Sequence, residues 1–300
     1  MYICKFETKC HHRAMSQIIT LTTDWGNIDP YAAIFKAHVW KRFPEARLVD
    51  ITHEVERHNL NHAAYLLGMA YPHFPPGSVH LADVRNLASS KVKLAYLDKD
   101  MRYMDPLAIR YRDHLFLVEN NGLFSMICPD FEEIQEMVKL PVPDEDPYKT
   151  FPALASFAPA AAALAENARL SLQEIGESYP LEKLLRERLL KVNLEEKRII
   201  CHLTHTDHYG NIHTDLRMED FLSVAGDAKK MQVQIPGYPP LNVVLRKRFT
   251  PRTEGDFVMF NLAGYMEIGR VQAPLAFQLG LEDERVLWSE INILFDSPQS

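Results

Sequence analysis

The 300-residue sequence lacks most of the features that identify a class of protein directly. It contains no run of about 18 apolar residues, so no transmembrane helix is expected. Its four cysteines form no Cys-x-x-Cys pair, and free thiols in a reducing cytoplasm are the simplest interpretation. No P-loop, Rossmann glycine fingerprint or Gly-x-Ser-x-Gly elbow occurs among its 12 glycines, which excludes the commonest assignments from motifs.

An excess of positive charge is also missing. The formal net charge is −7 at pH 7, so the chain is not expected to bind nucleic acid, because nothing offsets the repulsion of the phosphates. Two groups of candidate metal ligands occur, but neither has an obvious set of converging partners, and no metal site is predicted. The groups are Cys4, Cys10, His11 and His12, and His205, Asp207, His208 and His213.

The first half of the chain alternates β-rich runs with helical segments. Strand, helix, strand, helix, strand is the pattern of an α/β domain, and we expect a mainly parallel central sheet. The predicted strands are 17–23, 47–52, 77–84, 91–97 and 114–120, and helices are predicted after Pro30, over 59–75 and over 158–168.

The last third of the chain has a different texture, with short strands separated by Gly-centred turns. This pattern predicts a small β-sandwich or barrel. The expected organisation is an extension over 1–14, with Met15 as the natural start, an α/β domain over 15–178, a linker or helix over 179–196, and a β domain over 197–300.

The stretch LTTDWGNIDPY (21–31) carries two carboxylates after the first strand. Ligands of parallel α/β sheets sit outside the carboxyl ends of the strands, so Asp24 is a candidate to accept both hydroxyls of a ribose. Asp29 precedes Pro30, which is a common pairing of N-cap and first-turn residues. Capping of the following helix is therefore the favoured interpretation of Asp29.

Seven segments in order resemble motifs of the S-adenosylmethionine (SAM) hydroxide adenosyltransferases, which are SAM hydrolases, and of their fluorinase and chlorinase relatives. The resemblance runs from about Gln17 nearly to the end of the chain. The segments are LTTDWGNIDPY (21–31), FPEARLVDITHEV (43–55), FPPGSVHLA (74–82), ENNGLFS (119–125), TFPALASFAPAAAALA (150–165), HTDHYGNIHTDL (205–216) and NLAGYMEIGRVQ (261–272).

The resemblance implies a homotrimer with active sites between subunits, no cofactor, and displacement of methionine from C5′ of SAM. Water or hydroxide as nucleophile would give adenosine and L-methionine. Family roles fall on nine residues: Asp24 at the ribose, Asp29 and Asp207 at the methionine amine, His58 and Phe151 against the ligand, Tyr209 and Asn211 from the small domain, and Arg270 and Gln272 at the adenine.

The resemblance fails where the hydrolases carry an Asp-Arg-His set. Those three positions hold Arg85, Val92 and Pro152. One hypothesis is a divergent SAM-cleaving enzyme with Asp83, Arg85 and Lys91 as rebuilt catalytic groups. The alternative is a SAM- or nucleoside-binding protein of the same fold without turnover. A different reaction, with Arg85 and the flanking lysines facing an anion, is a third interpretation.

Overall fold

A computed structural model describes residues 17–84, 105–128, 130–143, 151–186, 192–195, 197–226, 228–248, 255–281 and 289–295. The described residues form two compact units. Unit 1 draws on the ranges 1–58, 70–124 and 128–185, and unit 2 on 59–69, 125–127 and 186–300. The strand predicted over 91–97 lies outside the described residues.

Unit 1 contains a seven-stranded sheet in the order β2-β1-β3-β5-β4-β6-β7. The pairs β1–β2, β1–β3 and β3–β5 are parallel, whereas β4–β5, β4–β6 and β6–β7 are antiparallel. The mainly parallel sheet that we expected therefore holds for one half only. The strands are β1 (Ile18–Thr23), β2 (Arg47–Thr52), β3 (Val79–Asp83), β4 (Pro106–Tyr111), β5 (His114–Glu119), β6 (Ile134–Lys139) and β7 (Glu177–Ser178).

The helices of the described chain are short, and four single 3-10 turns accompany them. None of these helices combines the length and the apolar character needed to cross a bilayer. The helices are α1 (Tyr31–Trp40), α2 (Leu60–Ala70), α3 (Leu123–Ile127), α4 (Ala153–Glu166), α5 (Met218–Ala225) and α6 (Leu275–Leu279); the 3-10 turns are Tyr71–His73, Phe131–Glu133, Leu172–Glu174 and Leu181–Lys183.

The start of α1 corrects the capping prediction. The N-cap residue is Pro30, and no side chain makes a cap hydrogen bond there. Asp29 is exposed, so its predicted role as helix cap is wrong. Proline has no N–H and a fixed φ, which allows it to open a helix without the help of a side-chain acceptor.

The core of unit 1 lies between the sheet and the helices α1 and α4. The strand β1 is buried from Ile19 to Thr23 and β3 along its whole length, as expected of central strands covered on both faces. Burial of these strands fixes the positions of the loops that follow them.

Unit 2 contains a closed barrel. Seven strands follow one another in the order β10-β14-β13-β12-β11-β15-β9, and the β9–β10 pairing closes the ring, with β8 added at β9. Of the sandwich and barrel alternatives, the barrel is therefore observed. The strands are β8 (Asn193–Glu195), β9 (Arg198–Thr206), β10 (Ile212–Arg217), β11 (Lys230–Gln234), β12 (Leu241–Leu245), β13 (Asp256–Phe260), β14 (Tyr265–Arg270) and β15 (Glu290–Phe295).

Candidate active site

A cavity of about 270 Å³ lies where the central strands of unit 1 end. Its walls come from the loops after β1 and β2, the last residue of β3, and the start of α4. Parallel strands bring their carboxyl ends to one edge of a sheet, which is where α/β proteins bind ligands. The described lining residues are Asp24, Trp25, Tyr31, Arg57, His58, Asp83, Phe151 and Pro152.

Asp24 is held in place by the loop after β2. The backbone N–H of His58 donates to Oδ2 of Asp24 at 3.0 Å. His58 adopts φ +64°, a left-handed conformation that costs a residue with a Cβ on the order of 1 kcal/mol, and strained residues of this kind cluster at active sites and ligand clamps. The strained turn therefore serves to direct an N–H group at this carboxylate.

Backbone hydrogen bonds tie the loops after β1 and β2 together. Gly26 donates its N–H to the His53 carbonyl at 2.7 Å, and Val55 donates to the Thr23 carbonyl at 3.2 Å. Gly26 has φ +70°, which glycine adopts without penalty. The two loops thus form one rigid edge on which Asp24 sits, and a preorganised acceptor is what binding of a diol requires.

Part of the cavity lining is aromatic, and a second carboxylate lies beside it. The indole of Trp25 stacks parallel to His53 with ring centroids 5.9 Å apart, and Phe151 meets it edge-on at 4.9 Å. Trp25 Nε1 donates to Oδ2 of Asp83 at 3.0 Å. Asp83 is paired in register with Thr23 of the neighbouring strand, so its backbone is fixed to the sheet.

The structure brings together five of the residues singled out in unit 1, namely Asp24, His58, Asp83, Phe151 and Pro152. Asp29, in contrast, is exposed and is not among the residues that line the cavity. Arg85, Lys91 and Val92 lie outside the described residues.

Three lining residues, Trp25, Tyr31 and Arg57, were not predicted from the sequence. Two of them directly follow or precede a residue that was singled out, and all three lie in or beside the loops at strand ends. Position in such a loop was the available signal, because neither the aromatic rings nor the guanidinium belong to a motif that has chemistry of its own.

In unit 2 the turn between β9 and β10 is built around Asp207. Its Oδ1 accepts the backbone N–H groups of Tyr209 (2.9 Å) and Asn211 (2.8 Å), and its Oδ2 accepts the Asn211 amide at 2.9 Å. Burial alone would raise the pKa of Asp207, but the hydrogen bonds from His213 and Asn211 lower this pKa to about 2. Asp207 is therefore a fixed negative charge at neutral pH.

His213 connects Asp207 to the interior of unit 2. Its Nε2 lies 3.3 Å from Asp207 Oδ2, and its Nδ1 lies 2.8 Å from the Tyr65 hydroxyl. An ionised carboxylate only accepts hydrogen bonds, so Nε2 carries the proton, and in the neutral ring Nδ1 accepts from Tyr65. Burial raises the pKa of Tyr65 above its ordinary value, which keeps this hydroxyl a donor.

The remaining predicted residues of unit 2 lie at its surface or are already paired. Tyr209 is 79% exposed, and Gln272 is exposed with φ +57°. Arg270 forms a bidentate ion pair with Asp256, with N···O distances of 2.6 and 2.9 Å, and donates to Gln278. Three of its five N–H donors are thereby used within the chain.

Comparison with known proteins gives a consistent result. The sequence model of the SAM hydroxide adenosyltransferase N-terminal domain matches residues 19–176. A protein of Methanocaldococcus jannaschii named (R)-S-adenosyl-L-methionine hydrolase is 27% identical over 265 residues, which cover 84% of this chain and 88% of the relative. A protein of the same name from Thermus thermophilus is 28% identical over 275 residues, covering 87% and 94%.

A solved structure shares the fold. The crystal structure of an uncharacterized conserved protein from Thermotoga maritima is similar to this chain with a TM-score of 0.75 and 25% sequence identity. The similarity covers 92% of this chain and 99% of that one.

Proposed function

The chain belongs to the SAM hydroxide adenosyltransferase family, and we propose that it cleaves SAM at C5′ of the ribose with water or hydroxide, releasing adenosine and L-methionine. Relatives of similar length are named (R)-S-adenosyl-L-methionine hydrolase. The observation that carries the proposal is the cavity at the ends of β1–β3, in which Asp24 is held ready to accept a ribose diol.

The charge of the cavity suits a sulfonium substrate. Two carboxylates, Asp24 and Asp83, and one guanidinium, Arg57, line it, so acidic groups outnumber basic ones among these three. Methionine leaves as a neutral thioether, so the leaving group needs no acid. Catalysis then consists of placing water in line with the C5′–S bond and accepting its proton.

The proposal assigns a role to each candidate residue. Asp24 binds the ribose hydroxyls, and His58 and Phe151 pack against the nucleoside. The catalytic groups proposed in place of the family set are Asp83, Arg85 and Lys91. Proposed contacts to the methionine and adenine parts are Asp29, Asp207, Tyr209, Asn211, Arg270 and Gln272.

Assembly and location are further parts of the proposal. We expect a homotrimer that works in the cytoplasm without a cofactor, on the strength of the resemblance to the family. Light scattering on the purified protein gives the mass of the assembly and tests the trimer.

The activity is tested by incubating the purified protein with SAM in ¹⁸O-labelled water. Adenosine and methionine should form, with the label in the 5′-hydroxyl of adenosine, because attack at C5′ places the water oxygen there. Label absent from adenosine, or 5′-methylthioadenosine as the product, would contradict the proposed reaction.

A second candidate function is binding of SAM or a nucleoside without turnover. It is favoured by Pro152, which lines the cavity at a position where the family carries histidine and supplies no proton acceptor. Calorimetry distinguishes the two functions, since a binding protein would retain SAM at micromolar affinity while no adenosine appears in the labelled-water assay.

A further inference from the structure

Trp25 has a contact that its role as an aromatic wall does not require. Its Nε1–H donates to Oδ2 of Asp83 at 3.0 Å, across 58 positions of sequence. Asp83 lines the cavity and is 8% exposed. Few water molecules therefore reach this carboxylate, and a hydrogen bond to it is stronger than one at an open surface.

The ring of Trp25 has little freedom to turn. His53 stacks on one face, Phe151 meets the ring at 84°, and Phe35 packs against it with centroids 5.6 Å apart. The backbone N–H of Trp25 also points to Thr23 Oγ1 at 3.4 Å. An indole fixed in this way presents its N–H in one direction only, towards Oδ2 of Asp83.

We propose that Trp25 is a positioning residue that orients Asp83 to accept a proton from the attacking water. The inference rests on the proposed function and deepens it. The water oxygen forms a bond to C5′ while the C5′–S bond breaks. The electron pair of the C5′–S bond stays on sulfur, which becomes the thioether of methionine. The proton of the water passes to the Asp83 carboxylate and from there to solvent.

The geometry suits this division of roles between two side chains. A carboxylate offers about four acceptor positions, and the indole occupies one of them without being able to take a proton itself. Asp83 is the last residue of a fully buried strand, so its backbone is rigid and only its side-chain rotation needs control. A general base held in this way contributes about 10²- to 10⁴-fold to a rate.

The test is Trp25→Phe, which keeps an aromatic ring and removes the N–H. We expect kcat for adenosine formation to fall about tenfold, or 1.4 kcal/mol in the barrier, with KM changed less than about twofold. Trp40→Phe is the matched control, because Trp40 Nε1 donates to the Ala46 carbonyl at 3.1 Å and does not line the cavity. It should leave both constants unchanged.

Asp83→Asn completes a double-mutant cycle. Its amide oxygen still accepts from Trp25 but cannot take a proton, so kcat should fall about 100-fold or more. If Trp25 acts through Asp83, adding Trp25→Phe to Asp83→Asn costs nothing further.

The outcomes separate this inference from the proposed function. Suppose that the wild-type protein is active. The positioning role is then overturned, and the function stands, if Trp25→Phe behaves like Trp40→Phe. The same holds if the losses of kcat caused by Trp25→Phe and Asp83→Asn multiply in the double variant. A wild-type protein that forms no adenosine overturns both. If circular dichroism shows that Trp25→Phe is unfolded, the test uses Asp83→Asn alone. A kcat of Asp83→Asn within about twofold of wild type then overturns the inference.

Discussion

At the scale of single residues, Asp24 shows how a local sequence signal becomes a site. The strand before it and its place at a carboxyl end were readable from the sequence. The donor that fixes it, the backbone N–H of His58, lies 34 positions away and depends on a left-handed turn that no motif indicates.

Asp24→Asn should weaken binding of both SAM and adenosine. Asparagine keeps an oxygen for the His58 N–H, but it loses the negative charge and half of the acceptor capacity offered to a diol. Hydrogen bonds to a charged group are worth about 1.5–3 kcal/mol, so we expect Kd to rise roughly 10- to 100-fold by calorimetry.

The control for this substitution is Asp113→Asn, an exposed aspartate in the turn between β4 and β5. It does not line the cavity and should leave both affinities as they are. Equal affinities for wild type and Asp24→Asn would remove the ribose role of Asp24.

At the scale of elements, the apolar pattern of α1 predicts the helix but not which of its faces is buried. The helix predicted after Pro30 is observed, but its apolar residues lie on more than one face: Ile34 and Trp40 are exposed, whereas Phe35 and Val39 are buried. The helix is apolar on several faces, and such a pattern does not specify which one meets the sheet.

Contacts between elements that are distant in the chain could not be predicted from the sequence. The bond between Trp25 and Asp83 depends on β1 and β3 being parallel neighbours with Thr23 opposite Asp83. Strand order is a property of the whole sheet. The two partners can be recognised as polar or aromatic residues at strand ends, but their pairing cannot be read from either segment.

A substitution at Gly210 tests how tightly the hairpin that carries Asp207 is packed. It has φ +77°, and a Cβ there would lie 2.6 Å from Cβ and 2.7 Å from Cα of Pro274. Gly210→Ala should therefore add overpacking of about 1–3 kcal/mol to the cost of the left-handed conformation. Urea unfolding of the full chain measures the loss.

Gly237→Ala separates the two costs. Gly237 has φ +84°, but nothing lies within 4 Å of its added Cβ, so this variant reports the backbone penalty alone. Gly210→Ala should be the less stable of the two by the overpacking term. Equal losses for both variants would show that the Pro274 contact relaxes freely.

At the scale of the whole molecule, composition and element pattern predicted an α/β portion and a β portion. The prediction of a mainly parallel first sheet was only half right. The strands β4 and β6, which make the sheet antiparallel on one side, were not predicted. Of the alternatives for the second portion, the structure selects the barrel. Closure depends on one additional pairing, β9 with β10, which local strand signals do not encode.

Two pairs of buried histidines lead us to expect that the stability of the fold depends on pH in the acid range. His80 Nε2 lies 3.0 Å from His114 Nδ1, and His62 Nε2 lies 3.2 Å from His205 Nδ1. Burial lowers the pKa of His80 to about 3, and the pKa values of His62 and His205 to about 4. These rings stay neutral in the folded state at pH values where they are protonated in the unfolded chain.

The free energy of unfolding should therefore fall as the pH is lowered from about 6.5 towards 4. Between the folded pKa values and the unfolded value of about 6.5 the unfolded state binds more protons, so stability rises with pH in this window. His62, His80 and His205 each account for a loss of unfolding free energy on the order of 3 kcal/mol by pH 4. His80→Asn, which removes one of these groups, should give a shallower decline in urea unfolding experiments between pH 7.5 and 4.5. The exposed His73→Asn should follow the wild-type slope, and identical slopes for all three proteins would rule out His80 as a source of the acid sensitivity.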